Sequence, residues 1–523
     1  MDFDAVVIGA GHNGLAAAVH LATHNWSVGV FEQNDTAGGA VRTEEVTLPG
    51  FRHDLYAMNL SLFAGSPFLK EHGEALRGHG LAFAPAEHCF ASPMRDGRWF
   101  GVSKDVQTTL ARIEKFSHED ARTWAAMLEK FGTDAPHIFA LLGSPMTLRA
   151  LIAYAWKAWR AKGTAWIMET ERLLVSSPRE FLERNFESPE IRATMAAWGM
   201  HLDFPPDVAG GALFPYLESM ANQAFGMVIG QGGADTMIKA LVARLEELGG
   251  KVHINADVAE VTRESRRAVG ILLADGEAIG ARRAVIAGVT PGALVSKLLS
   301  GGSGDSGFDR GAQQFAHGPG TMMLHLAMSD LPDWSAGDEL KRFAYLHLAP
   351  DLGIMGRAYS EAMSGLLPAE PVLVVGQPTA IDPSRAPAGR HILWVQVRVV
   401  PARISGDAAG KIAARDWTTV KEAYADRVLD IIEGYAPGAK RKVLARYVES
   451  PADLERRNPN LVGGDQLGGS HHLSQNFMFR PIPGWARYAT PVKDLYMIGA
   501  STWPGAGTGA GSGYMLAKML AGG

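Results

Sequence analysis

The feature that most constrains the fold lies at the start of the chain, where a short apolar run, Ala5 to Ile8, leads into Gly9-Ala10-Gly11-His12-Asn13-Gly14 and then a helix of small residues. A strand, a G-x-G-x-x-G turn and a helix open a dinucleotide-binding βαβ unit. Gly9 permits the tight turn, Gly11 lets the backbone approach a pyrophosphate, and Gly14 lets the helix pack closely on the strand. The free amides of the helix N-terminus, around Asn13, then face the phosphates. A second β pattern, Ser27-Val28-Gly29-Val30-Phe31, ends in Glu32 and Gln33. A carboxylate about twenty residues beyond the glycines accepts hydrogen bonds from ribose hydroxyls and disfavours a 2′-phosphate, so NADP is not the expected occupant.

Two further glycine-rich segments point to a flavin. In Ala37-Gly38-Gly39-Ala40-Val41-Arg42-Thr43, the paired-glycine turn can pass close to a cofactor and Arg42 can supply a fixed positive charge near its phosphates or flavin. At the far end, Leu495 to Ala500 reads as a strand that reaches Gly499 and Ala500. The loop Pro504 to Gly513, with Thr508, Gly509 and Gly511, precedes the apolar segment Tyr514 to Leu520. A glycine-rich loop feeding a last helix makes an anion-receptive amide cluster, suited to the N1 and O2 edge of a reduced flavin. FAD is therefore the expected cofactor.

At 523 residues the chain is too long for one simple core, and its 47% hydrophobic and 20% charged content is that of a folded globular protein. A net charge of −5 supplies no electrostatic footprint for nucleic acid, so no nucleic-acid partner is expected. The one cysteine, Cys89, excludes a dithiol relay within the chain. Met1-Asp2-Phe3-Asp4 runs straight into the first strand without a basic region or apolar signal core, and no apolar stretch reaches transmembrane length. A cytoplasmic location is the expectation, with any membrane contact peripheral.

These motifs carry a family resemblance. The N-terminal glycine motif with Glu32, the paired-glycine turn with Arg42 and the terminal GAST-x-PG-x-G segment resemble the phytoene desaturase-like branch of the flavin amine oxidase superfamily. Within it, Pro378 to Pro401 and Gly463 to Pro491 are similar to carotenoid ketolase-type and PYROXD2-like oxidoreductases. The resemblance spans essentially the whole chain and implies an α/β fold: a Rossmann-like discontinuous FAD-binding domain (1–59, 226–294 and 485–523) and a substrate-binding domain (60–225 and 295–484) of mixed sheet plus a helical cap at about 90–225. It implies FAD contacts at Tyr56 and Ala57, at Val258 through its backbone beside adenine, and at Ala287 and Gly288. The pattern of the middle piece agrees. Gly232 to Asp235 starts an amphipathic helix to Leu248, Lys251 to Ile254 reads as a strand, Asp275-Gly276 as a hairpin turn, and Ala284 to Gly288 as a buried strand ending near the nucleotide.

Strand-like runs at Thr321 to Met328, Val372 to Val375 and His391 to Val399 suggest a sheet over which substrate lies. The segment 60–220 is mainly helical by period and rich in tryptophan. Between Leu148 and Lys162, Leu148, Leu151, Ile152, Ala155, Trp156 and Trp159 share one face, while Arg149, Lys157 and Arg160 share another. The plain expectation is a solvated lid helix packed on its own domain; the alternative is a helix lying in a membrane interface and admitting a lipophilic substrate.

A flavin accepts a hydride at N5 and asks the protein only for positioning, water exclusion and charge stabilisation. No Ser-His-Asp set, paired carboxylates or zinc spacing is present, and His471-His472 are adjacent rather than spaced along a helical face, so no metal is expected. The pocket candidates are Tyr56, Asn59, His325 and Trp503. His325, in the apolar run MMLHLAM, reads first as a satisfied core histidine. Trp503 stands where relatives carry a histidine, near the flavin's reactive face, and is expected to narrow the cavity or shield N5. Without a second G-x-G-x-x-G, the simplest cycle reduces the flavin by substrate and reoxidises it by oxygen, a quinone or another carrier. The reading is an FAD-dependent dehydrogenase taking a hydride from a largely apolar small molecule such as a polyene or other isoprenoid. The alternatives are oxidation of a C–N bond, with Trp503 and Tyr56 forming an aromatic cage, and an FAD-containing interaction protein without catalysis.

Overall fold

The computed structural model describes residues 2–522. Ala5 to Ile8 is buried on both faces, as a near-continuous apolar run in a parallel sheet must be. The strand Asp2–Ile8 sits centrally in a seven-stranded sheet ordered Val258–Glu264, Arg267–Leu273, Ala278–Ala287, Asp2–Ile8, Val28–Phe31 and Lys251–His253, with Leu495–Met497 also pairing with Ala278–Ala287. The pairings of Asp2–Ile8 with both neighbours, of Val28–Phe31 with Lys251–His253 and of Ala278–Ala287 with Leu495–Met497 are parallel. The outer hairpin is antiparallel and turns at Gly276. Stretches some 490 residues apart thus meet in one sheet. Helices His12–Thr23, Thr236–Glu247 and Gly511–Ala521 pack together on one face.

The second sheet, also seven-stranded, is ordered Val443–Glu449, Gly320–Met328, His391–Val400, Val372–Gly376, Tyr345–Leu348, His88–Pro93 and Trp99–Ser103. The three strand-like runs of its centre lie in strands as read. Alternation divides its faces. Leu324, Leu346, Leu373, Leu393 and Val395 pack against helix Trp417–Tyr435, while Met323, Tyr345, Val374 and Trp394 face the opposite way, toward the cap.

The helical cap begins later than expected. Residues 88–103 form the edge hairpin of the second sheet, and helices run from Val106 to Phe225. The Arg98-Asp96 turn closes this hairpin, and its apolar strands Cys89 to Met94 and Phe100 to Val102 are buried against the sheet, which overrides the helical reading of that stretch. Helix Leu148–Val175 breaks at Gly163, whose φ of 80° is non-helical. Of its apolar face Leu151 packs on the domain, but Leu148 is 75% exposed, Ile152 61%, Trp156 55% and Trp159 52%. The expected solvated lid helix packs on its own domain through Leu151, Ala158, Trp166, Leu173 and Leu174, and leaves those four apolar side chains exposed.

Candidate active site

In open α/β sheets ligands bind at the carboxyl ends of parallel strands. Here those ends present Gly9, Glu32, Gly288 and Gly499 side by side. Gly9 has φ of 92°, which a side chain resists. Gly14 is a packing position: a Cβ there would lie 2.4 Å from the Gly9 carbonyl oxygen. Gly11 differs from both. A Cβ at Gly11 would meet nothing within 4 Å, and the same is true of Gly499 across the site. These two positions leave a cradle open at the start of helix His12–Thr23, in front of its free amides, which fits a pyrophosphate.

Glu32 is buried and already oriented. Its Oε2 accepts from the Ala10 N–H (2.9 Å), and its Oε1 accepts from the Asn34 N–H (3.0 Å) and side-chain amide (2.8 Å). A carboxylate has about four acceptor sites, so capacity for ribose hydroxyls remains. Gln33 beside it is exposed. The Ala256 N–H donates to the Glu32 carbonyl, which brings the chain up to Val258 alongside. Gly288 closes the loop from the other strand through N–H donation to Ile8, directly after Ala287. Gly38 donates to the Ala10 carbonyl, and Gly39 lies against Gly11, where a Cβ would come within 3.3 Å of the Gly11 Cα.

Arg42 is held by Glu44 at 2.7 Å, and Glu44 also pairs with Arg457 at 3.2 Å. Behind them, the Tyr56 hydroxyl, both Glu449 carboxylate oxygens and both His325 ring nitrogens are buried without hydrogen-bond partners. His325 therefore sits in the sheet core as read but is not satisfied there; its Nε2 stands 3.7 Å from Glu449. Burial and the Glu449 carboxylate raise the Tyr56 phenol well above its ordinary value.

The C-terminal loop completes the cradle. The Ser512 hydroxyl donates to Asn13 Oδ1 (2.9 Å) and accepts from the Gly499 N–H (2.9 Å), and a Cβ on Gly513 would collide with the Asn13 carbonyl. The loop and the helix N-terminus are thus locked together at Asn13. His12 Nε2 contacts the Gly507 carbonyl at 3.1 Å, and desolvation lowers its pKa to about 4. The Thr508 hydroxyl donates to the Asn59 carbonyl, which ties this loop, with Gly509 and Gly511, to the segment Tyr56-Ala57-Met58-Asn59. Arg480, fully buried, donates to the carbonyls of Ala500 (2.7 Å), Ser470 (2.9 Å) and Gly468 (2.9 Å). Arg385 likewise pairs with Asp54 and Asp382 and fixes the chain leading into Tyr56.

Trp503 opens the C-terminal glycine loop. It is buried among residues of the dinucleotide-binding layer, with its Nε1–H donating to the Ser144 carbonyl (2.9 Å) and its ring 5.3 Å from that of Phe477. Tyr56 and Met58 belong to the other apolar cluster, with the cap and second sheet. Tyr56 and Trp503 thus lie in different apolar clusters. His471 and His472 also part: His471 Nε2 accepts from the Ala506 N–H, and His472 Nε2 lies 2.7 Å from the Asp203 carbonyl oxygen.

What sequence reading missed is the inward face of the second sheet. Tyr345 and Trp394 stack there with centroids 5.7 Å apart and planes at 26°. Met58 lies against the same pair: a Cβ on Gly376 would meet its Sδ and the Trp394 ring. One row further along is His347, 3.2 Å from His201, and a row beyond that is Arg398, which donates to the His201 carbonyl. Burial lowers His347 to about 3 and Arg398 to about 10. Glu218, on helix Leu213–Phe225, is close enough to raise the Tyr345 phenol, and desolvation lifts its own carboxyl to about 7. A signal existed: in His391-Ile-Leu-Trp394-Val-Gln396-Val-Arg398 the large polar-capable residues recur every second position.

The comparisons with known proteins agree with this architecture. Over 559 aligned residues the chain is 29% identical to mouse pyridine nucleotide-disulfide oxidoreductase domain-containing protein 2, covering 99% of this chain and 93% of that protein. It is 25% identical to one of the limonene dehydrogenase polypeptides of Castellaniella defragrans (99% and 94% covered). Its identity to a neurosporene-forming phytoene desaturase of Cereibacter sphaeroides is 24% (98% and 94% covered). The fold is similar to a Methanosarcina mazei oxidoreductase (TM-score 0.64, 18% identity, 99% and 100% covered) and to cyclohexylamine oxidase of Brevibacterium oxydans (0.59, 15%, 100% and 99%). The family described as flavin containing amine oxidoreductase matches residues 14–502, so the chain belongs to this family and is an FAD-dependent oxidoreductase of the amine oxidase superfamily.

Proposed function

We propose that this oxidoreductase dehydrogenates a largely apolar small molecule of the isoprenoid class, removing a hydride and a proton from adjacent carbons to leave a C=C bond. The observation that carries the reading is the Tyr345–Trp394 platform. A nitrogen held between two rings needs centroids about 7 Å apart, twice an aromatic half-thickness plus the atom between. At 5.7 Å and 26° these rings stack on each other and leave no gap for a nitrogen between them, which makes an apolar floor. The buried Arg398 guanidinium on the same sheet face disfavours an ammonium group. The names of two relatives, a limonene dehydrogenase and a phytoene desaturase, support an isoprenoid substrate.

Bound FAD supplies the hydride acceptor. Gly11 and Gly499 would give it backbone approach, and Glu32 would hold its ribose. Tyr345, Trp394 and Met58 orient the substrate chain by contact and exclude water. Glu218 receives the proton, since a carboxyl with a pKa of about 7 is half ionised at neutral pH and returns to that state after release to solvent. The second substrate is oxygen, a quinone or another electron carrier; Cys89, buried and pushed up to about 12, takes no part.

Among the described residues no helix is long and apolar enough to cross a membrane. Leu148, Ile152, Trp156 and Trp159, exposed on a helix that also carries Arg149, Lys157 and Arg160, form the face by which the protein rests on a lipid surface and meets a lipophilic substrate.

The test is anaerobic mixing of the purified flavoprotein with monoterpenes, longer polyenes and hydrophobic amines while the flavin spectrum is recorded. Bleaching of the oxidised band by an isoprenoid is the expected result. Bleaching by amines alone would establish C–N oxidation and overturn the reading.

A further inference from the structure

On the far side of the helix layer, three helices bring together His20, Glu71 and His72. His20 lies on His12–Thr23, Glu71 and His72 lie on Pro67–Gly78, and Tyr514 of Gly511–Ala521 closes the third side. His20 Nδ1 is 3.1 Å from His72 Nε2 and 3.3 Å from Glu71 Oε1, and His72 Nε2 is 3.4 Å from that same oxygen. Both imidazoles are buried, while Glu71 reaches solvent.

Three atoms in such a triangle cannot all be hydrogen-bonded to each other by neutral imidazoles. If one facing nitrogen carries a proton, the other turns a lone pair toward the carboxylate oxygen; if both carry protons, the two N–H groups oppose each other. Every neutral tautomer therefore leaves one repulsive edge in the triangle. A cation at the centre removes the conflict, because all three lone pairs then point at it. The spacing agrees: ligand bonds of about 2.0–2.1 Å in tetrahedral geometry place ligand atoms about 3.3 Å apart.

We propose that His20 Nδ1, His72 Nε2 and Glu71 Oε1 bind a divalent transition-metal ion, zinc by preference, with a water on the solvent side as fourth ligand. The second oxygen of Glu71 accepts from the Tyr514 hydroxyl, the kind of outer-shell hydrogen bond that fixes a ligating carboxylate. Lys518, near Tyr514, and Arg244, near His72, add positive charge, so affinity comes from the nitrogen ligands rather than from net negative charge. That selects zinc, cobalt or nickel over magnesium and calcium. The ion would clamp Pro67–Gly78 to the helix whose N-terminus faces the cofactor phosphates. The site escaped sequence reading because its ligands come from two helices with no motif spacing between them.

The experiment uses the purified flavin-bound protein, stripped with a chelator, dialysed against zinc and assayed by elemental analysis and by melting with and without zinc. The expected result is about one zinc per chain and a melting temperature that rises with zinc. In His72→Ala both are lost while the flavin spectrum is kept. Tyr514→Phe should bind zinc at least about tenfold more weakly. Absence of stoichiometric zinc in the wild type, or equal zinc in wild type and His72→Ala, overturns the proposal. Should His72→Ala fail to fold, Glu71→Ala, altered at the partly exposed ligand, carries the same test, and undiminished zinc binding there overturns it equally.

Discussion

Gly11 and Gly14 stand three residues apart on one turn and do unlike work. A Cβ at Gly14 strikes the Gly9 carbonyl at 2.4 Å, whereas one at Gly11 projects into the space that fits the pyrophosphate. Gly14→Val should therefore destabilise the protein itself by about 1–3 kcal/mol or more, seen as a lower melting temperature of the flavin-free chain. Gly11→Val should leave that melting temperature unchanged and lower the flavin-to-protein ratio after purification. Glu218 is open to a separate check through pH. As a proton acceptor it works ionised, so turnover should rise through about pH 7 and level off above it. Glu218→Gln should abolish that inflection and cut kcat by roughly 10²-fold or more with flavin content intact; an unchanged pH profile refutes the role.

At the scale of elements, what the sequence made legible followed chain-local physics. The first strand, its glycine turn, the hairpin at Gly276 and the apolar strands of the second sheet are written in short-range patterns and lie where those patterns put them. The stretch 88–103 misled because helical periodicity around it masked a hairpin. Trp394, Gln396 and Arg398 show the reverse case: their alternation was visible, but which face they occupy depends on Trp417–Tyr435 covering the other, a contact that joins strands to a helix far along the chain. Helix Leu148–Val175 carries its own prediction. Wild-type protein should co-sediment with anionic liposomes, and neutralising Arg149, Lys157 and Arg160 or replacing Trp156 and Trp159 by alanine should weaken it by about 1 kcal/mol per basic residue lost. Equal sedimentation of all variants counts against the lipid face.

At the scale of the whole molecule, buried arginines join segments that are distant in sequence. Arg480 holds three carbonyls spread over Gly468 to Ala500, and Arg385 holds Asp54 against the chain before Tyr56. Arg480→Met keeps the bulk but leaves those carbonyls without a donor, at about 1–3 kcal/mol for each one that stays buried. It should release flavin on heating at a lower temperature than the wild type, which a fluorescence melt reads directly. The sheet tells the same story in a longer dimension. Its central strand is Asp2–Ile8, yet the neighbour of Ala278–Ala287 and the helix that grips Asn13 come from residues 495–521. During synthesis, then, the growing chain has no finished nucleotide site until those residues have left the ribosome. A translation product abandoned before then would lack a complete cradle, so bound flavin would report chains read through helix Gly511–Ala521.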